Sequence, residues 1–154
     1  MKPKESKQAK NTPPGPKDFN KFIGGLDLLD IRIREASFRF ADELHAQEHA
    51  PSIRTEIKAS FTPVRPDLFE AQQVFALRVI GKGTKRALGR LTCELMALYR
   101  SSNVEVNEAL FEVFKDTTLI LNTWPFIREF LYSCTLRAGL PPLVLPLAKF
   151  TPQS

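Results

Sequence analysis

The sequence predicts an α+β domain: a run of antiparallel strands followed by helix. Three observations carry this. Within "SIRTEIKASF", Ile53, Thr55, Ile57, Ala59 and Phe61 alternate with Arg54, Glu56, Lys58 and Ser60, the period of a strand with one buried face. Two further apolar runs are separated only by a short stretch containing Gly81-Lys82-Gly83, as in a hairpin. After "SSN" at residues 101–103, the apolar spacing changes from two to that of a helix. Strands first and helices last describe an α+β architecture, and 154 residues suffice for one domain that buries roughly 70% of its unfolded surface.

The first strand is "LDLLDIRIREASFRF". Ile31 and Ile33 share one parity and Ala36, Phe38 and Phe40 the other, so a bulge is expected near Arg34 and Glu35. "SIRTEIKASF" is the second strand. "TPVRPDLFE", with Pro63 and Pro66, reads as an irregular connection. "AQQVFALRVI" and "ALGRLTCELMALYR" are the third and fourth strands. In the fourth, Leu91, Cys93, Leu95, Ala97 and Tyr99 face inward together, leaving Thr92 and Glu94 outward. Short connections between four strands favour an antiparallel sheet.

"EALFEVFKDTTLI" places Leu110, Val113, Phe114 and Thr117 at helical spacing and predicts a short helix. A second helix is expected from Pro125 to Ala138. Pro125 suits the first helical position, Thr123 is a nearby cap, Gly139 suits the left-handed C′ position, and Pro141 and Pro142 forbid continuation. Three stripes line this helix: Ile127, Leu131, Cys134 and Ala138; Phe126 and Phe130; Tyr132 and Leu136. A sheet covers one stripe, so the surplus asks for a second subunit.

The net charge of +5 is concentrated at the start, where residues 1–25 hold six lysines against Glu5 and Asp18. A polar, Pro-rich basic arm is predicted there, disordered and available for weak electrostatic contacts. One alternative function follows from it, a nucleic-acid- or ribosome-associated binding protein. The chain has no signal-peptide core and no apolar run long enough to span a bilayer, so a cytoplasmic protein without membrane insertion is expected. Cys93 and Cys134 lack metal-motif spacing and read as buried, reduced thiols.

"HAQEH", His45 to His49, matches H-x-x-E-H but sits in a polar link between strands and reads as a solvated loop. "GKGTK" lacks phosphate-loop spacing, and neither a nucleophile elbow nor a dinucleotide fingerprint occurs. Nothing points to an enzyme, a metal or a cofactor. Arg54, Lys58 and Arg78 are few, have no aromatic platform, and read as a solvated sheet face.

Trp124-Pro125-Phe126, Arg128-Glu129, Arg137 and "GLPPLVLPLAKF", supported by "IREASF", "ALRV" and "TCEL", carry a family resemblance over residues 28–150. The chain resembles the SecB family of export chaperones and, in its last segment, the SecB-like branch associated with toxin–antitoxin systems. The resemblance implies residues 26–154 folded as a four-stranded antiparallel sheet with one long helix packed on it and a short helix before that. It also implies a homotetramer built as a dimer of dimers, and an ATP-independent holdase for unfolded preproteins or an antitoxin. Client contact falls on Ile53, Thr55, Ile57, Phe61, Pro63 and Pro66, the 63–66 connection corresponding to the family's crossover loop. The subunit interface falls on Trp124, Phe126, Ile127, Phe130, Leu131 and Cys134. Glu35 and Glu94 match acidic positions that meet the motor SecA, while a third is here Arg39, a departure from that pattern. "TPQS" after Phe150 replaces the family's final C-terminal helix.

Overall fold

The structure, a computed structural model, describes residues 13–46 and 51–147. Helix α1 (Pro16–Gly24) leads into β1 (Leu26–Phe40), and a 3₁₀ turn (Asp42–Ala46) begins the link to β2 (Ser52–Arg65). Then come β3 (Leu68–Ile80), β4 (Ala87–Ser101), α2 (Glu108–Phe114), a π-helical turn (Lys115–Leu119) and α3 (Ile120–Arg137). The strands form one antiparallel sheet in the order β1-β4-β3-β2.

The expected bulge in β1 is present, its register slipping between Ile33 and Glu35, and a second slip lies between Leu28 and Asp30. Each slip inverts the parity, so Leu28, Ile31, Ile33, Ala36, Phe38 and Phe40 all share the face of Tyr99, Ala97, Leu95, Cys93, Leu91 and Gly89. Phe40 lies over Gly89, where an added Cβ would come within 2.7 Å of the ring, so this position admits only glycine without a shift.

The sequence reading of residues 63–66 needs correction. Pro63 lies inside β2, paired with Phe69, and the chain reverses at Pro66 and Asp67 into a hairpin. Pro63 is tolerated because β2 is an edge strand. The crossover is instead the 41–51 link, which carries the chain from one sheet edge to the other.

The helical region also differs from expectation. One continuous helical rod follows β4, capped at its start by Asn107, whose Oδ1 accepts the Leu110 N–H at 3.0 Å. Its sheet-facing residues are Leu110, Phe114, Leu119, Thr123, Ile127 and Leu131, all buried. The steps are of four residues except between Phe114 and Leu119, where the π turn makes it five. Pro125 therefore lies within α3. Pro125 and Leu121 are both exposed, so water can serve the Leu121 carbonyl that proline leaves without an N–H. Thr123 is no cap; its hydroxyl donates back to the Leu119 carbonyl at 2.9 Å. The C-terminus matches the reading: Gly139 has φ +70°, with Gly139 N–H to Leu136 O at 3.1 Å and Leu140 N–H to Thr135 O at 3.0 Å, the Schellman pair.

The expectation of a disordered arm does not hold over residues 16–24. "PKDFNKFIG" forms α1, with Pro16 at its start and Phe19, Phe22 and Ile23 on one side. Phe22 is fully buried, its ring 6.3 Å from Phe69 and 5.9 Å from Phe114. The apolar i, i+3, i+4 spacing outweighs the lysines, and the folded body begins before the expected boundary. Residues 1–12 lie outside the described residues.

Two clusters form the core. One, largely aromatic, joins α1 and α2 to Phe69 and Tyr99; the other joins Ile127, Leu131 and Cys134 of α3 to Phe75, Leu77, Leu91, Cys93 and Leu95. Leu91, Cys93, Leu95, Ala97 and Tyr99 all face inward as the alternation requires. Both cysteines are buried free thiols. Burial, with Cys134 adjacent, pushes the Cys93 thiol up to about 11. An unfolded thiol ionises near about 8.5, so folding is favoured below that pH and loses on the order of 2–3 kcal/mol as pH rises through the folded value. The urea midpoint is expected to fall from pH 8.5 upward and to fall less steeply for Cys93→Ala; parallel slopes for both proteins would contradict this.

Candidate functional site

The rod lies over β3 and β4, and the inner face of both edge strands is left partly open. On β2, Ile53 is 39% and Ile57 41% exposed, with Thr55 exposed between them. On β1, Leu28, Ile33 and Phe38 are exposed on the corresponding side. These side chains point toward the helix layer, so the alternation of β2 was read with correct parity, but its burial is incomplete within one chain. Among the described residues β1 and β2 each pair on one side only, so both outer edges present backbone donors and acceptors.

Between β2 and the π turn lies a cavity of about 570 Å³, lined by Ile57, Lys58, Ala59, Gln73, Lys115, Asp116 and Ile120. Gln73 stands at an inward position of β3, 1% exposed, and neither Nε2 nor Oε1 has a hydrogen-bond partner among the described residues. Its amide carries one donor group and one acceptor, the complement of a peptide unit. A buried amide in this state costs free energy until a partner arrives. An apolar wall, a free strand edge and an unmatched amide together suit an extended polypeptide, held through its backbone with little demand on its side chains.

The segment "LPPLVLP" runs extended beside α3. Trp124 Nε1 donates to Pro146 O at 2.7 Å, Arg128 Nε to Leu145 O at 2.9 Å, and the Leu143 N–H to Thr135 Oγ1 at 3.0 Å. Leu145 is thereby buried in the α3 cluster. This flank of α3 is thus occupied, and Trp124, expected at a subunit interface, packs on the tail and edge-to-face on Phe75 at 6.3 Å. Ile127, Leu131 and Cys134 are likewise buried against their own sheet and have no surface to offer a second chain. Phe126 is 39% exposed and Phe130 half-buried, so the second stripe is the open one; Tyr132 and Leu136 of the third are exposed too.

The remaining expected residues fall into three places. Phe61 is half-buried in the aromatic cluster, its ring 4.7 Å from Phe111, while Pro63 and Pro66 are exposed at the far end of the hairpin. Glu35 and Glu94 stand opposite each other on the outer face of the sheet. Glu94 accepts from Gln72 Nε2 at 2.7 Å and lies 3.4 Å from Arg34. His45 spends its ring on structure: Nε2 is 3.0 Å from the Ala138 carbonyl and Nδ1 3.3 Å from that of Asp42, tying the crossover to the end of α3. Glu48 and His49 lie outside the described residues. Sequence reasoning missed the β1 residues, hidden by the double change of parity, and Gln73, whose signal was an amide at an apolar position.

No family model matches the chain, and no curated relative matches it by sequence. Among solved structures it is similar to a SecB-like chaperone of Mycobacterium tuberculosis, determined in complex with a ChAD peptide from the HigA1 antitoxin. The identity is 22% and the TM-score 0.73, over 88% of this chain and 99% of that one. A protein of unknown function from Streptococcus agalactiae matches at 9% identity and a TM-score of 0.47, over 79% of this chain and 97% of that one. The fold of this chain is that of the SecB-like chaperone. No described helix is long and apolar enough to cross a membrane.

Gln73→Met keeps the side chain's length and removes the unmatched amide. Urea unfolding is expected to show a gain of about 1–3 kcal/mol with an unchanged slope; a loss would mean that the amide is satisfied in solution.

Proposed function

We propose that this chain is an ATP-independent holdase that captures unfolded polypeptide on the inner face of β2, beside the π turn. The observation that carries the reading is the row of exposed Ile53, Thr55 and Ile57 along a free strand edge, with the buried Gln73 amide, unpartnered among the described residues, on the adjacent strand just beyond Ile57. The SecB-like chaperone of Mycobacterium tuberculosis, which shares the fold, was solved with an antitoxin-derived peptide, and this supports an antitoxin-like segment as the client here. Ile53, Thr55 and Ile57 make the apolar contacts. Phe61 anchors β2 to the core and Pro63 and Pro66 limit the edge at its far end.

The functional unit is a homotetramer. β1 carries exposed Leu28, Ile33 and Phe38, and α3 carries the open Phe126 stripe, apolar surface that association would cover. SecA finds little to hold at these acidic positions: Glu94 already has Arg34 and Gln72, and Arg39 stands on the same face.

Light scattering of an aggregating client tests the reading. Near-stoichiometric tetramer is expected to suppress aggregation without nucleotide, and Ile53→Ser/Ile57→Ser to weaken capture about tenfold or more, since each isoleucine contributes roughly 1 kcal/mol of further burial. No suppression by the parent at several-fold excess sinks the proposal. Native mass spectrometry is expected to give four chains, and Phe38→Asp to lower that number; a monomeric parent would remove the assembly from the proposal.

A further inference from the structure

Four arginines form one row across the outer face of the sheet. Arg39 is in register with Arg90, Arg90 with Arg78, and Arg78 with Arg54, so every strand contributes one. All four are exposed, on the opposite side of the sheet from α3, and the row spans about 14 Å at the ordinary strand spacing. None forms an ion pair among the described residues. Like charges directly opposite one another destabilise a sheet, and here the arrangement repeats across three pairings. At the β1 end the row opens into a cavity of about 520 Å³ lined by Arg39, Arg90, Arg86 and Phe40 together with Asp42 and Glu43, the latter 3.6 Å from Arg86.

We infer that this row is a docking site for a short acidic segment of a partner polypeptide, separate from the client groove on the other face. Guanidinium groups engage carboxylates bidentately, and four in line match a run of a few Asp or Glu residues. The rest of the face favours a small ligand over a long polyanion. Two residues along each strand the row gives way to Ser37, Thr92, Ala76 and Glu56, and four along to Glu35, Glu94, Val74 and Lys58, so the purely cationic surface is one row deep and a long polyanion would outrun it. Among the described residues no aromatic side chain of the strands lies on this face to stack a base. The chain's own remaining segments are poor in acid: residues 1–12 carry four lysines and Glu5, 47–50 only Glu48, and 148–154 only Lys149.

Fluorescence anisotropy on the full chain tests this with fluorescein-labelled hexaglutamate, hexaglutamine and a short DNA duplex. Hexaglutamate is expected to bind, to weaken as salt rises from about 50 to 200 mM, and to lose at least about tenfold in affinity for Arg78→Gln/Arg90→Gln. Suppression of client aggregation stays unchanged in that variant, so failure here is distinguishable from failure of the holdase reading. Its melting temperature is expected to hold or rise, because the opposed charges are relieved; a fall would show the row to be internally paired and overturn the inference. Equal binding of hexaglutamine, unchanged affinity in the variant, tighter binding of the duplex at the same salt, or a row-dependent doubling of native mass would each overturn it too.

Discussion

A single helix cannot cover four strands. With side chains it is about 10 Å wide, whereas strands spaced about 4.8 Å apart present a floor nearer 15–19 Å across. The consequences propagate through the molecule. The helical rod takes the middle pair, β4 and β3, whose inward residues are sealed, and the two edge strands keep apolar inner faces that nothing in their own layer seals. α1 seals one end with Phe22, the 141–147 segment seals one flank with Leu145, and what remains is divided into separated strips. Divided apolar surface of this kind permits a chain to hold sticky ligands and still stay dispersed.

The two faces of the sheet carry different physics on the same strands. Toward the helix, contacts are mostly apolar, and Gln73 is buried there without a hydrogen-bond partner among the described residues. Away from it, carboxylates and cations mostly neutralise each other: Arg32 with Asp30 and Glu70, Arg34 with Glu94, Lys58 with Glu56. Exposed pairs of this sort contribute little to stability but set which surfaces approach one another. Only toward the crossover end does the balance fail, in favour of arginine. One face is thus mainly apolar and the other charged, and the period of two keeps them independent.

Much of this was legible in the residues. β1 and β4 matched their quoted runs closely, the bulge at Arg34 followed from a parity change, and Gly139 marked the end of α3. The failures share a cause: local signals were read without knowing what lay across from them. Lysines masked the Phe19, Phe22 and Ile23 spacing of α1, whose value depends on Phe69 and Phe114 far along the chain. Pro63 looked like a breaker because edge position is a property of sheet order. Of the candidate site, the shared face of Ile53 and Ile57 was visible in the alternation and their client role came from the resemblance, whereas the arginine row was not visible, since its members come from four strands and meet only through register.

The π turn at Lys115–Leu119 bears on how this chain compares with others of its shape. It behaves as a one-residue insertion absorbed inside a helix, bulging outward so that Phe114 and Leu119 both stay on the sheet. A relative lacking that residue would run at ordinary pitch and present equivalent side chains. An ungapped alignment through the segment would then put every position after it out of phase by about 100°, matching core residues to surface ones. Two similar rods compared in that way look unrelated along their length, and a single gap between Phe114 and Leu119 restores the correspondence.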